Sequence, residues 1–406
     1  MKKTLIISSY APPSISGASN MMFNLLRYFE QDKLVFLTSH ADIDDNALRV
    51  GNKLTAKYYY YDTLTLATGA QKEDSLFQKI KRFLKSNFIL RYLAHQAMIF
   101  YLPYNIVRYG SKIIRDEKIE LLMGYSDQGT AFLATYFLHL LTGKPYYLYF
   151  YDLWSGNNFS WTYRTLAWFF EPMICARASK IFVMNDVLQK HYQKKCKNEV
   201  VVIYNSIPIN LDKKPELSPN QSGKFKIMFT GAIYWAQAGA IKNIIEAVND
   251  ITEQDVEFWI YTTYTKEALH QQGIFESSKV FFTKAAPSEM PAIQQSADIL
   301  LVALSLDTYY PLLINTSSPG KTYEYMLSGR PILVHAPKDS YIFQYARDND
   351  FALTVGENNS KEVKKAILEL ITQRDLSLRL TDNAFATVLK NHDAKKTSQF
   401  FQSFFV

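Results

Sequence analysis

Two doubly wound α/β domains are the fold predicted for this 406-residue chain, and three observations carry the prediction. Apolar, β-rich runs alternate with amphipathic helical segments, the pattern of mostly parallel sheets covered on both faces. One stretch, Ser206 to Lys224, holds Pro208, Pro215, Pro219 and Gly223 and has no apolar period, so it reads as a linker. The composition, 48% hydrophobic and 20% charged, suits two buried cores and excludes a disordered or fibrous chain.

The elements follow in order. Thr4 to Ser8, Lys33 to Thr38, Lys57 to Tyr61, Ile119 to Gly124, Pro145 to Tyr151, Lys180 to Met184 and Val200 to Tyr204 read as strands of a first domain, residues 1–207. After the linker, residues 208–223, the series resumes with Lys226 to Thr230, Val256 to Tyr261, Lys279 to Thr283, Asp298 to Ala303, Pro331 to His335 and Phe351 to Val355. These belong to a second domain, residues 224–385, and a helical tail, residues 386–406, closes the chain. No repeat of 20 to 50 residues appears, which excludes solenoids and propellers. The apolar run Leu93 to Val107 is interrupted by His95, Gln96, Pro103 and Asn105, so no spanning helix is expected. Met1-Lys2-Lys3 is followed by too short an apolar run for a signal peptide. Cys175 and Cys196 lack metal-ligand spacing and predict neither a disulfide framework nor zinc, in keeping with a reducing cytoplasm.

The net charge of +7 is unevenly placed: residues 1–205 carry 25 Lys and Arg against 16 Asp and Glu. Lys79 to Arg115 contains Lys81, Arg82, Lys85 and Arg91 among its basic residues, no acidic one, and several aromatics. An anionic membrane surface or an acceptor is the favoured partner for this stretch, because basic residues beside aromatic ones suit a charged leaflet. No nucleic-acid-binding motif accompanies it, so nucleic acid is not expected; a solvated helix face is the plain alternative.

Ligands of doubly wound sheets bind beyond the carboxyl ends of the strands. The loop after the first strand, Ser9 to Asn20, has small residues, Gly17 and a helix start, which fit a phosphate or simply a strand-to-helix turn. The richer signal is Asn315 to Leu333. There Ser317, Ser318, Pro319 and Gly320 open a short helix carrying Lys321 and Glu324, and Gly329 closes it. Backbone N–H groups and Lys321 suit a diphosphate, and Glu324 suits a pair of ribose hydroxyls; a capped surface helix uses the same residues. Asp42, Asp44, Asp348 and Asp350 read as loop carboxylates and not as a metal site. The seven histidines share no ligand spacing.

Lys321-Thr322-Tyr323-Glu324-Tyr325-Met326-Leu327-Ser328-Gly329-Arg330-Pro331 resembles the donor-binding segment of retaining GT-B-fold glycosyltransferases, the group 1 or family 4-like enzymes of bacterial surface-polysaccharide assembly. The Pro12 to Gly17 loop, Tyr151-Asp152-Leu153-Trp154, Val202 to Pro208 and Phe229-Thr230-Gly231-Ala232 are similar to further family segments, in order along almost the whole chain. The resemblance implies two Rossmann-like domains facing a central cleft, the first for the acceptor and the second for the nucleotide sugar. It implies Glu324 on the donor ribose, Ser317, Ser318, Gly320, Lys321 and Gly231 around the diphosphate, and Gly17 near the phosphate or sugar. Asp152 is the candidate catalytic residue; a helix N-cap with Trp154 behind it is its other reading. The tail would return to the first domain.

Two departures qualify the likeness. Thr316 stands where the family's first Glu would bind the sugar's hydroxyls, and Tyr234 to Gly239 lacks the usual basic pair. The expected activity is transfer of a hexose from a nucleotide diphosphate, most simply UDP, to a glycan or lipid-linked acceptor, with no metal and no other cofactor. The expected site of action is the inner face of the cytoplasmic membrane, in capsule or lipopolysaccharide assembly. A nucleotide-sugar epimerase on the same fold and a non-catalytic nucleotide-binding subunit are the alternatives.

Overall fold

The computed structural model describes residues 1–14, 16–39, 53–61, 88–210, 214–217 and 223–406, with side chains from 99 onward in the helix that begins at Phe88. Two compact units form, Met1–Ile203 together with Ser398–Val406, and Tyr204–Thr397.

The first unit has a seven-stranded sheet of β1 (Thr4–Ile7), β2 (Leu34–Ser39), β3 (Lys57–Tyr61), β4 (Leu121–Tyr125), β5 (Tyr146–Phe150), β6 (Lys180–Val183) and β7 (Val200–Val202). Its order is β3-β2-β1-β4-β5-β6-β7, with every pair parallel. The helices are α1 (Gly17–Leu26), α2 (Phe88–Asp116), α3 (Thr130–Thr142), α4 (Trp161–Arg177) and α5 (Asp186–Gln193). Residues 398–406 complete this unit's core. Lys2 N donates to Phe405 O at 2.7 Å, the Tyr147 hydroxyl to Phe404 O at 2.8 Å, and Phe401 packs edge-on against Phe182 at 4.9 Å. Each such buried aromatic is worth about 2–3 kcal/mol of apolar burial.

The second unit has six strands, β8 (Lys224–Thr230), β9 (Asp255–Tyr261), β10 (Val280–Thr283), β11 (Ile299–Ala303), β12 (Ile332–His335) and β13 (Leu353–Val355). They are ordered β10-β9-β8-β11-β12-β13, again all parallel. Helices α6 (Trp235–Asp250), α7 (Lys266–Gln271), α8 (Met290–Gln295), α9 (Pro311–Thr316), α10 (Lys321–Leu327), α11 (Tyr341–Asp348), α12 (Ser360–Thr372) and α13 (Arg374–Asn391) follow in sequence, and α14 (Ala394–Gln402) runs out of this unit. Ile241, Ile244 and Val248 of α6 meet Val363, Ile367 and Leu370 of α12 in one core over the sheet.

Every strand expected from the sequence is present, with ends within two residues of the expected ones. Where they differ a turn is responsible: Ile119 N donates back to Ile114 O to end α2, and Lys118 takes φ 54°, so β4 starts only at Leu121. In each sheet the strand order reverses beside the first strand, between β1 and β4 and between β8 and β11. Loops leaving those pairs frame the switch points at which doubly wound sheets hold ligands. Among the described residues no helix is long and apolar enough to cross a membrane. Cys175 and Cys196, far apart in sequence, are both buried, and the Cys175 thiol donates to Cys196, which pulls Cys196 below its ordinary range and pushes Cys175 up.

Candidate functional site

The second unit gathers its candidate residues where β8 and β11 end. Thr230 closes β8, and its N–H donates to the Tyr325 hydroxyl at 2.9 Å, while the two hydroxyls share a hydrogen bond at 3.0 Å. Tyr325 is fully buried, so this contact pins α10 to the end of β8 and fixes the helix's rotation. Lys321 then projects along β8, its Nζ 3.5 Å from the centre of the Phe229 ring. Loss of hydration there pushes the Lys321 pKa down to about 7, against the pull of Glu324. Gly231 makes room: it has φ +116°, and a Cβ there would stand 3.1 Å from Nζ.

Glu324 lies one turn further along α10 on the helix's exposed side and accepts from Gln294 Nε2 of α8 at 3.1 Å. Loss of hydration raises its pKa, and the Gln294 hydrogen bond and Lys321 oppose the rise. Lys321 therefore stands beside Gly231 and within the field of Glu324, so a cation, a carboxylate and a side-chain-free stretch of backbone lie close together. Gly320 precedes α10 without a side-chain cap, and Ser318 shares a 2.5 Å hydrogen bond with the Tyr323 hydroxyl. Ser317 turns away, donating its hydroxyl to Leu313 O at 2.7 Å, so its side chain is spent inside α9. Thr316 does the same: it is fully buried and donates to Leu312 O at 2.9 Å.

In the first unit, Gly17 is the first residue of α1, capped by Ser16, whose Oγ accepts from Ser19 N at 3.0 Å. A Cβ at Gly17 would meet nothing within 4 Å, so the space above it is open. Asp152 follows β5 and is exposed. It is not a helix N-cap, because α4 begins only at Trp161 after Ser160. Trp154 is buried behind it and donates Nε1 to Gln128 O at 3.3 Å.

Sequence reasoning missed Asp127, which sits at the β1/β4 switch point. Its carboxylate accepts from Ser9 Oγ at 2.7 Å and from the N–H groups of Gly129 and Ala131 at 2.7 and 3.2 Å. Burial raises its pKa and these donors oppose the rise. A Cβ at Gly129, φ +102°, would fall 2.1 Å from the Trp154 ring nitrogen, so the loop is closely fitted. The signal was available as an Asp two residues before a glycine, between a strand and a helix.

Lys81, Arg82 and Lys85 lie outside the described residues, and so does the side chain of Arg91. The described part of that basic region, with α3 and α4, forms an apolar groove of about 510 Å³ lined by Phe100, Tyr104, Phe137, Leu140, Leu141 and Phe170 among others. Trp161 and Trp168 are each 75% exposed on α4. Among the described residues no group of His, Cys, Asp and Glu side chains is placed to hold a metal ion. His335 and His392 are buried in structural hydrogen bonds, His335 to Val355 O at 3.0 Å and His392 to Asn205 O at 2.7 Å.

Residues 224–373 match the family model described as "Glycosyl transferases group 1". No curated protein matches the sequence. Among solved structures, the chain is similar to Anabaena HepE in complex with UDP and glucose, with TM-score 0.68, 15% identity, and coverage of 100% of this chain and 99% of that one. It is similar to the sucrose-phosphate synthase of Thermosynechococcus elongatus, with TM-score 0.65, 11% identity, and coverage of 100% and 98%. A UDP-N-acetylglucosamine 2-epimerase, so described, from Listeria monocytogenes follows, with TM-score 0.59, 13% identity, and coverage of 100% and 96%. The architecture is GT-B, and the match to the group 1 glycosyltransferase model falls within its second unit.

Proposed function

We propose that this chain, a GT-B protein whose residues 224–373 match the group 1 glycosyltransferase model, moves a hexose from UDP to a glycan or lipid-linked acceptor with retention of configuration. The observation that carries the reading is the placement of Lys321 beside Gly231, with Glu324 one turn away, at the β8/β11 switch point. A nucleoside diphosphate needs a cation for its phosphates and an acceptor pair for its ribose hydroxyls, and these residues offer both. As the sugar leaves, charge develops on the diphosphate, and a fixed ammonium in a poorly hydrated site stabilises it without reorganisation. Lys321 takes that part, so no metal is invoked. Backbone around Ser318 and Gly320 completes the phosphate site within the second unit. The UDP assignment draws on HepE, solved with UDP and glucose.

The first unit is proposed to work at an anionic membrane on its cytoplasmic side, in surface-polysaccharide assembly. The exposed aromatics of α4 and the apolar groove support this, and Arg108, Lys112 and Arg115 add basic charge on α2. Titration calorimetry with UDP, GDP and ADP tests the donor site. One nucleotide should bind wild type and lose about tenfold or more in affinity with Glu324→Ala. No binding by wild type would defeat the reading. The fold is shared with the Listeria epimerase, so turnover of free UDP-N-acetylglucosamine is measured in parallel: conversion to an epimer without acceptor would assign that activity instead.

A further inference from the structure

We infer that Trp235 and Tyr310, with Tyr234 beside them, form a platform that stacks on the apolar face of a pyranose ring held next to the Lys321–Glu324 site. This inference rests on the proposed donor site and names what that site holds beyond its phosphates. The three side chains frame the switch point, Tyr234 and Trp235 where the loop after β8 enters α6 and Tyr310 at the end of the loop after β11. Their rings form a continuous set, Tyr234 to Trp235 at 6.1 Å and Trp235 to Tyr310 at 5.5 Å between centroids. Tyr234 is 43% and Trp235 37% exposed, and neighbouring Tyr309 is 96% exposed. Large aromatic surface left in water beside a polar site is the usual mark of a ligand contact.

The platform is built and not incidental. Ser305, almost wholly buried, donates its hydroxyl to Trp235 O at 2.9 Å, accepts from Gly239 N at 3.1 Å, and gives its own N–H to Ala236 O at 2.7 Å. Three hydrogen bonds from one residue thus lock the β11 loop to the first turn of α6. Ile233 is fully buried, and its carbonyl accepts from Gln272 Nε2 at 3.0 Å, which fixes the chain just before Tyr234.

Position and chemistry choose the ligand. Tyr234 is three residues from Gly231, which the chain spans in about 10 Å at most. Tyr310 is the N-cap of the six-residue helix α9, about 9 Å long, whose other end leads to Ser317 and on to Lys321. These spans allow a ring on the platform to belong to the same ligand as a diphosphate at Lys321. No charged residue occurs between Gly231 and Ile241, so the surface is not made for a second phosphate. The π faces are electron-rich and attract the polarised C–H bonds of a pyranose face. Meanwhile the hydroxyls of Thr316 and Ser317 are bonded within α9, so recognition by that helix end is closed off and stacking takes its place.

The test uses the full chain labelled with 5-fluorotryptophan, with the Trp235 fluorine resonance assigned through Trp235→Phe. UDP, UDP-glucose, UDP-galactose and UDP-N-acetylglucosamine are titrated, followed by methyl glucoside and methyl galactoside, each with and without UDP. A sugar nucleotide is expected to move the Trp235 resonance where UDP does not, which identifies the donor's sugar. A shift by the methyl glycosides alone identifies an acceptor ring. Trp235→Ala should then lose about tenfold in affinity for the sugar-bearing ligand relative to UDP, and Trp235→Phe should keep most of it. UDP alone moving the resonance as far as any sugar overturns the inference in favour of a base platform. If UDP binds and no saccharide moves the resonance, the platform is refuted and the donor site stands. If methyl glycosides move it and no nucleotide binds, the donor reading fails and the platform stands.

Discussion

Lys321 holds its ammonium 3.5 Å over the face of Phe229, at the end of a strand and beside a glycine that leaves it room. The ring face compensates part of the hydration the ammonium has lost, and the balance leaves a lysine poised near neutrality, at about 7. An arriving diphosphate favours the charged form. Above pH 7, binding must therefore take up a proton, and affinity for UDP should fall by up to about tenfold per pH unit. Calorimetry in buffers of different ionisation enthalpy reads the proton directly, and Lys321→Met should abolish both the uptake and the pH dependence.

The same lysine predicts a stability effect of definite sign. Its folded pKa, about 7, lies below its unfolded one, so between pH 7 and about 10.5 the unfolded chain binds more protons. Stability from this group rises with pH through that window, and its cost is fully present below pH 7. Without nucleotide, Lys321→Met should raise Tm by about 2–4 °C at pH 6, and by less at pH 10, in differential scanning calorimetry.

Two glycines should separate strain from open space. Gly231→Ala puts a side chain at φ +116° and against Lys321, and should cost about 1–3 kcal/mol in chemical denaturation along with UDP affinity. Gly17→Ala meets no neighbour at all and should leave denaturation within about 0.5 kcal/mol of wild type. A fall in sugar transfer by Gly17→Ala at unchanged stability would assign that loop a part in the reaction.

Tyr325→Phe removes the hydroxyl that both the N–H and the hydroxyl of Thr230 contact. Leaving that buried N–H unpaired should cost about 1–3 kcal/mol and loosen α10. UDP affinity should fall although neither residue contacts the nucleotide in the proposed pose, and a variant with unchanged affinity would show that α10 is held by other contacts.

For the membrane reading, co-sedimentation with vesicles of phosphatidylcholine, with and without phosphatidylglycerol, is the direct assay. Wild type should pellet with the anionic vesicles only. Trp161→Ser with Trp168→Ser should release it, while both side chains, three-quarters exposed, contribute little to folding.

The fold was legible because its strands are short, nearly continuous apolar runs between turn-forming residues, as in Ile299–Ala303, and helices fill the intervals. The neighbourhood of Lys321 and Glu324 was legible as a motif, since both lie on one short helix. What could not be read were partners contributed by distant chain. Gln294 reaches Glu324 across 30 residues, Tyr325 meets Thr230 across 95, and Ser9 meets Asp127 across 118, and no local period encodes such meetings. Asp152 was legible as a loop residue, but its alternative as a cap failed because α4 starts later, after the chain has buried Leu153 and Trp154.

The hydrogen bond from Lys2 to Phe405 makes the first unit discontinuous: its sheet is made of early residues and its final aromatic layer of late ones. During synthesis, the early sheet must therefore wait, with the Tyr147 and Phe182 faces uncovered, until the whole of the second unit has been made. Folding order then runs against chain order, with the later unit able to finish first and the earlier one sealed last, so removal of residues 398–406 should be felt at the opposite end of the sequence.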